Sequence, residues 1–276
     1  MVGVTALQKL LFPATTAAYL RQGSSLLAGP VVRIADAIGW RTPVEVLSAY
    51  GLDAAGVESV DVLRFENTPL TRLSVPQAGD ATSVAGYDLG FLRGPGAGVV
   101  PVWDVAPTTV PRDSELWRIH ADGKQELISA YAGPAFGWRG TGVFVPPTMI
   151  PGPRAQWHGA EYAASWTDPG HLEIVTLAET APDGFEQTRP NVFRRVVEAA
   201  ECSRIFEVSF TSVWRGAIRC TMLQSNQEQA AVLLHCDAQT AADAGAVALE
   251  PGVFWHLVPQ AELTEVSGTT SELPVA

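Results

Sequence analysis

Short apolar runs set between turn-forming residues recur through the stretch from Ala217 to Val275. Ala230–Leu234, Val253–Val258 and Leu263–Val266 are too brief for ordinary helices, and Asn226, Gly245, Pro251-Gly252 and Ser267-Gly268-Thr269 punctuate them. Runs of that length between Gly, Pro, Asn and Ser are the pattern of strands joined by turns.

The same reading extends upstream. Val60–Phe65, Leu70–Val75 and Leu172–Leu177 read as strands, and in Arg204–Phe210 the set Ile205, Glu207 and Ser209 alternates with Phe206, Val208 and Phe210. Leu116–His120 and Glu126–Tyr131 flank Asp122-Gly123, a pair that tolerates the positive φ angles of a hairpin turn. A helix over Lys124–Ala132 closed by Gly133 remains the alternative there. Thr42-Pro43-Val44-Glu45 predicts a capped helix ending near Gly51. Ala6–Arg21 predicts a short amphipathic arm broken at Pro13, Val31–Ile38 a short apolar segment, and Pro190–Ala200 a surface helix with Val192, Phe193, Val196 and Val197 inward. The expected fold is mainly β with a few short helices (α+β), in antiparallel, sandwich-like sheets. The expected division is 1–75 mixed helix and strand, 76–110 a Gly/Pro-rich linker around Gly94-Pro95-Gly96-Ala97-Gly98, 111–216 a β-rich central domain, and 217–276 a small β-module. The glycine run fits no phosphate-binding spacing.

A chain of 276 residues has ample length for a core. Apolar residues make up 47% and charged ones only 17%, a low charge density that points to surface covered by partners. The net charge is −11, and nucleic-acid binding, which needs clustered Lys and Arg, is not expected. Arg189, Arg194 and Arg195 form the nearest thing to a basic patch and are read as a solvated helix face. Cys202, Cys220 and Cys236 are read as free, mostly buried thiols. Neither a signal peptide nor a membrane span is read in the chain.

Candidate chemistry is sparse. No GxSxG, CxxC, HExxH or HxH occurs, and the adjacent His235 and Cys236 point to opposite faces of a strand, so no metal and no cofactor is expected. Glu161, Asp168, Glu173 and Glu179 are the carboxylates available as an acid–base pair, although their spacing implies no pairing. The aromatic-rich stretch from Gly133 to Trp166 predicts long loops stapled by aromatic side chains.

The order of the closing stretch, with Asn226 before the Ala231-Val232 strand, Gly245 before Leu249-Glu250-Pro251-Gly252, and Ser267-Gly268-Thr269-Thr270 before Leu273-Pro274-Val275, resembles the small β-sandwich modules of tailed-phage and gene-transfer-agent virion proteins. The resemblance implies a structural virion protein at a tail, baseplate or head-accessory position. Its partners would be copies of itself and other virion proteins, assembled into the virion in the bacterial cytoplasm. It implies assembly rather than catalysis, with no catalytic residues. After Arg219 there is no Lys or Arg while seven carboxylates remain, an acidic face suited to a basic partner surface. Two alternatives stand beside it. Leu116-Trp117-Arg118-Ile119-His120 and Glu250-Pro251-Gly252 resemble parts of NAD-consuming ADP-ribosyltransferases, which would make Arg118 and Glu250 catalytic. An intracellular binding or immunity-type module is the third class.

Overall fold

The computed structural model describes residues 6–75, 90–94 and 98–273. These form two antiparallel sheets and a small hairpin with four short α-helices, so the fold is the mainly β arrangement expected.

The first half of the chain builds sheet one. In chain order its elements are β1 (Ala6–Leu11), α1 (Pro13–Gln22), β2 (Leu26–Arg33), α2 (Ile34–Ala37), α3 (Pro43–Ala49), β3 (Ser59–Glu66), β4 (Leu73–Ser74), β5 (Phe91–Arg93), β6 (Val99–Pro101), β7 (Trp103–Thr109), β8 (Glu115–His120) and β9 (Gln125–Ala130). The sheet order is β4-β7-β2-β1-β3-β8-β9, and β5 pairs with β6 apart from it. The helical arm expected over Ala6–Arg21 is instead a strand followed by a helix. Pro13 opens α1, where its missing N–H costs no hydrogen bond, and β1 gains two strand partners. Thr42 and Glu45 form the expected capping box of α3. The hairpin at Asp122-Gly123 is present, with Gly123 at φ 82, so Lys124–Ala132 is not a helix. Both faces of the sheet are buried. Leu10, Val32, Val62 and Ile119 pack beneath α2, α3 and the β5–β6 hairpin, while Leu7, Leu27, Val31 and Leu63 pack with Tyr19 of α1, Tyr131 and Trp138.

The second half builds sheet two from β10 (Arg154–Trp157), β11 (Ala160–Asp168), β12 (His171–Leu177), β13 (Glu186–Arg189), β14 (Val192–Glu198), β15 (Arg204–Trp214), β16 (Ile218–Ser225), β17 (Gln229–His235), α4 (Ala238–Asp243), β18 (Val247–Glu250), β19 (Val253–Pro259) and β20 (Leu263–Glu272). The path is β13-β14-β12-β11-β10-β15-β16-β17-β19-β18, with β20 on β15. β15 is the strand on which the sheet depends. Its start pairs with β10, its end pairs with β16, and β20 runs along Phe206–Trp214 on the opposite edge.

Three local expectations are corrected here. Pro190–Ala200 contains strand β14 rather than a helix: its β-branched valines pair with β12 on one side and β13 on the other, and that pairing overrides the helical periodicity. The connection punctuated by Gly245 is not a plain turn but contains α4, capped by Asp237, whose Oδ1 accepts from Thr240 N–H at 2.8 Å. The turn expected at Ser267-Gly268-Thr269 is absent and β20 runs straight through it. Gly268 lies against the ring of Phe210, where a Cβ would stand 3.0 Å from Cε1, so the glycine makes room for an aromatic rather than reversing the chain. The bend in β20 comes earlier, at Glu265, which sits at φ 53 where the pairing with β15 shifts register.

The span read as a linker lies partly outside the described residues; of the remainder, β7 is a strand of sheet one paired with β2 and β4. The boundary at 216/217 falls on the β15–β16 turn, inside sheet two.

The two sheets meet where Ala28 of β2 packs on Leu223, Leu233 and Val253. Beside this contact the fully buried Lys9 of β1 forms an ion pair with the buried Glu250 of β18. The Thr15 hydroxyl of α1 donates to the Leu249 carbonyl across the same junction. Gly29, at φ 83, lets the β2 backbone approach so closely that any Cβ would collide with Val253.

Candidate functional site

Beyond this junction the sheets diverge and leave a cleft of about 880 Å³. Strand alternation decides what lines it. Residues opposite one another in a ladder share a face. Ser209 faces Thr269, Thr211 faces both Ser267 and Thr221, and Arg219 faces His235. All seven line the cleft. The intervening residues Phe210, Trp214, Cys220, Met222 and Leu234 enter the core on the other side. One wall of the cleft is therefore a row of hydroxyls with an arginine and a histidine. The opposite wall comes from β2, β7 and β4, with Asp104, Arg72 and Ser74 as its polar members.

Two features bear on the wall, a contact on its surface and a buried carboxylate beside it that does not line the cleft. Thr221 Oγ1 and His235 Nε2 stand 2.7 Å apart, the contact of a nucleophile with its base. The Thr221 side chain is buried and the imidazole is exposed, so here the ring covers the hydroxyl and is held by it. Glu207, on the same face of β15 as Ser209, is also buried, and its Oε1 accepts from Gly152 N–H at 2.8 Å. Burial raises its carboxyl above the ordinary range, against the lowering effect of the Thr108 hydroxyl, the Gly152 amide, Arg72 and Arg154. The arrangement offers many hydrogen-bonding groups of both charge signs, suited to holding a polar surface.

At the mouth of the cleft lies β20. It pairs with β15 alone, so no strand among the described residues covers the backbone groups of its outer edge. Residues 264–270 are exposed, and the side chains of Ser267 and Thr269 face the cleft.

The residues singled out in the sequence fall elsewhere. Arg118 makes a two-pronged ion pair with Asp61 of the neighbouring strand, at 2.8 and 3.0 Å. Glu250 is buried against Lys9 at the sheet junction, and neither Arg118 nor Glu250 lines the cleft. Burial raises the Glu250 carboxyl to about 7 even though Lys9 and Thr15 act to lower it. The four carboxylates do not converge. Glu161 faces Arg154 at 3.7 Å, Asp168 bonds His171, Glu173 is enclosed by Arg112 and Arg194 at 2.9 and 3.1 Å, and Glu179 is exposed. The three arginines are not a solvated helix face: Arg189 lies over Phe144, Arg194 over Phe136 and Arg195 over Trp157, on or beside strands. The cysteines are free and buried, and burial pushes Cys220 up to about 11. Among the described residues no three His, Cys, Asp or Glu side chains gather as a metal site.

No protein family, curated protein or solved structure matches the chain. Sequence reading missed Lys9 and the hydroxyl row. One of only two lysines set within an apolar run was the available signal for the first, and the spacing of Ser209, Thr211, Ser267 and Thr269 for the second.

Proposed function

We propose that the chain is an assembly protein, a structural component of a tailed-phage or phage-like particle at a tail, baseplate or head-accessory position, acting through contacts with its own copies and other virion proteins. The observation that carries the reading is the open edge of β20. A long exposed edge strand is a ready template for another chain, and soluble β proteins ordinarily blunt such edges. The low charge density and the hydroxyl-lined cleft beside that edge support it. The positions of Arg118, committed to an ion pair within sheet one, and of Glu250, committed to one across the sheet junction, weigh against the transferase reading. Among the described residues no helix is long and apolar enough to cross a membrane.

Particles banded on a density gradient from cells encoding the chain are expected to carry it in fixed ratio to their other proteins. Particles that form and band without it overturn the reading.

A further inference from the structure

We infer that β20 is a self-pairing edge, on which a second copy of the chain lays its own β20 antiparallel about a twofold axis through Thr269. The inference rests on the assembly reading above in taking the edge to be used, and goes beyond it in naming the occupant and the register.

Hydrogen-bond parity limits the register to axes that pass through a residue, and the uncharged span of the strand picks the residue. Leu273 N–H donates to the Ile205 carbonyl at 2.9 Å, and the same pairing continues as Glu207 with Ser271, Ser209 with Thr269 and Thr211 with Ser267. Along an antiparallel ladder successive residues alternate between bonding toward one neighbour and toward the other. Ser267, Thr269 and Ser271 therefore turn their backbone groups to β15, while Gly268, Thr270 and Glu272 turn theirs outward.

Both ends of this edge are protected and its middle is not. At one end Glu265 sits in the left-handed region at a register shift, which bends the strand; at the other, Glu272 is tied to Arg204 at 3.1 Å. Between them Ser267–Ser271 carries no charge and no proline.

Outward-bonding residues can pair only with outward-bonding residues. Every axis through a residue meets that condition, and the one through Thr269 centres the contact on the uncharged span Ser267–Ser271, setting Thr270 of each copy against Gly268 of the other. Thr269 then faces Thr269, Ser267 faces Ser271 and Glu272 faces Val266. Hydroxyl pairs of this kind stabilise neighbouring strands, and no carboxylate opposes another, so an acidic chain can pair here without like charges meeting directly. The contact is self-complementary and closes as a dimer. Its small area makes a reversible dimer, reinforced where many copies are held together.

The test uses the full chain carrying Thr269→Cys. In this register the two Thr269 residues form a non-hydrogen-bonded pair, whose Cα atoms lie about 4.5 Å apart, within the roughly 4.4–6.8 Å that a disulfide spans. The three native thiols are buried. Mild oxidation is expected to give a reducible dimer at least tenfold faster than for Ser48→Cys, an exposed position on α3. Adding Thr270→Pro, or Thr270→Lys should the proline variant not fold, is expected to abolish the cross-link with the far-ultraviolet dichroism unchanged. Equal cross-linking at positions 269 and 48, or cross-linking undiminished in a folded position-270 variant, overturns the inference. Incorporation into particles by a chain that fails the cross-linking test refutes the self-pairing and leaves the assembly reading intact, whereas a β20 dimer absent from banded particles does the reverse.

Discussion

The Lys9–Glu250 pair is buried at the sheet junction, and removal of a partner and a change of pH act on it in different ways. Loss of one partner strands the other in a dry junction, so Lys9→Met is expected to destabilise the chain by about 3–5 kcal/mol, while Lys9→Met with Glu250→Leu costs much less than either change alone. Urea denaturation of the three variants measures this. The pH dependence follows from the raised Glu250 carboxyl. Between its ordinary value near 4.5 and about 7 the folded chain keeps a proton that the unfolded chain has released. The contribution of Glu250 to stability is therefore full below about pH 4.5 and is lost as the pH rises toward 7. Glu250→Gln lacks this decline, which denaturation at several pH values in that window would reveal. Glu173 is the parallel case: its Oε2 accepts from Arg112 and Arg194 together, and Glu173→Ala is expected to cost about 3–5 kcal/mol by leaving two guanidinium groups without their shared partner.

At the scale of elements, what local chemistry dictates was legible and what tertiary pairing dictates was not. The capping box at Thr42 and the Asp122-Gly123 hairpin were readable because each is closed by residues a few positions apart. Thr42→Ala is expected to cost about 1 kcal/mol in thermal or urea denaturation. The alternation of Arg204–Phe210 was also readable, and it determines the polar wall of the cleft. The lining itself was not readable, because it depends on which strands lie beside β15, and β20 arrives from some fifty residues downstream. β14 shows the same limit: Val192, Phe193, Val196 and Val197 fit a helical face as well as a strand, and only β12 and β13 decide between them. Gly268 misled because a glycine that leaves space for a ring and a glycine that turns the chain look alike in sequence. Gly268→Val, which drives branched atoms into Phe210, is expected to destabilise by about 1–3 kcal/mol and to loosen β20, seen as faster amide exchange along that strand.

At the scale of the whole molecule the two sheets are tied by an ion pair, by the Thr15–Leu249 hydrogen bond and by the apolar contact around Ala28. They are accordingly expected to unfold together: tryptophan fluorescence, which reports both sheets, and far-ultraviolet dichroism should give superimposable denaturation curves, and two separated midpoints would show the junction to be weaker than its contacts imply. The junction also orders events in time. Lys9 lies in β1, the first strand of the described chain, and its partner is made roughly 240 residues later, a delay of about 12–50 s at ordinary rates of synthesis. For that interval sheet one holds a lysine ammonium where its finished packing has no water, so a nascent chain can lay down most of its first sheet but not seal it. Lys9 is among the last side chains of sheet one to reach its final surroundings, and a ribosome paused before residue 250 would hold a chain with an open seam at β1.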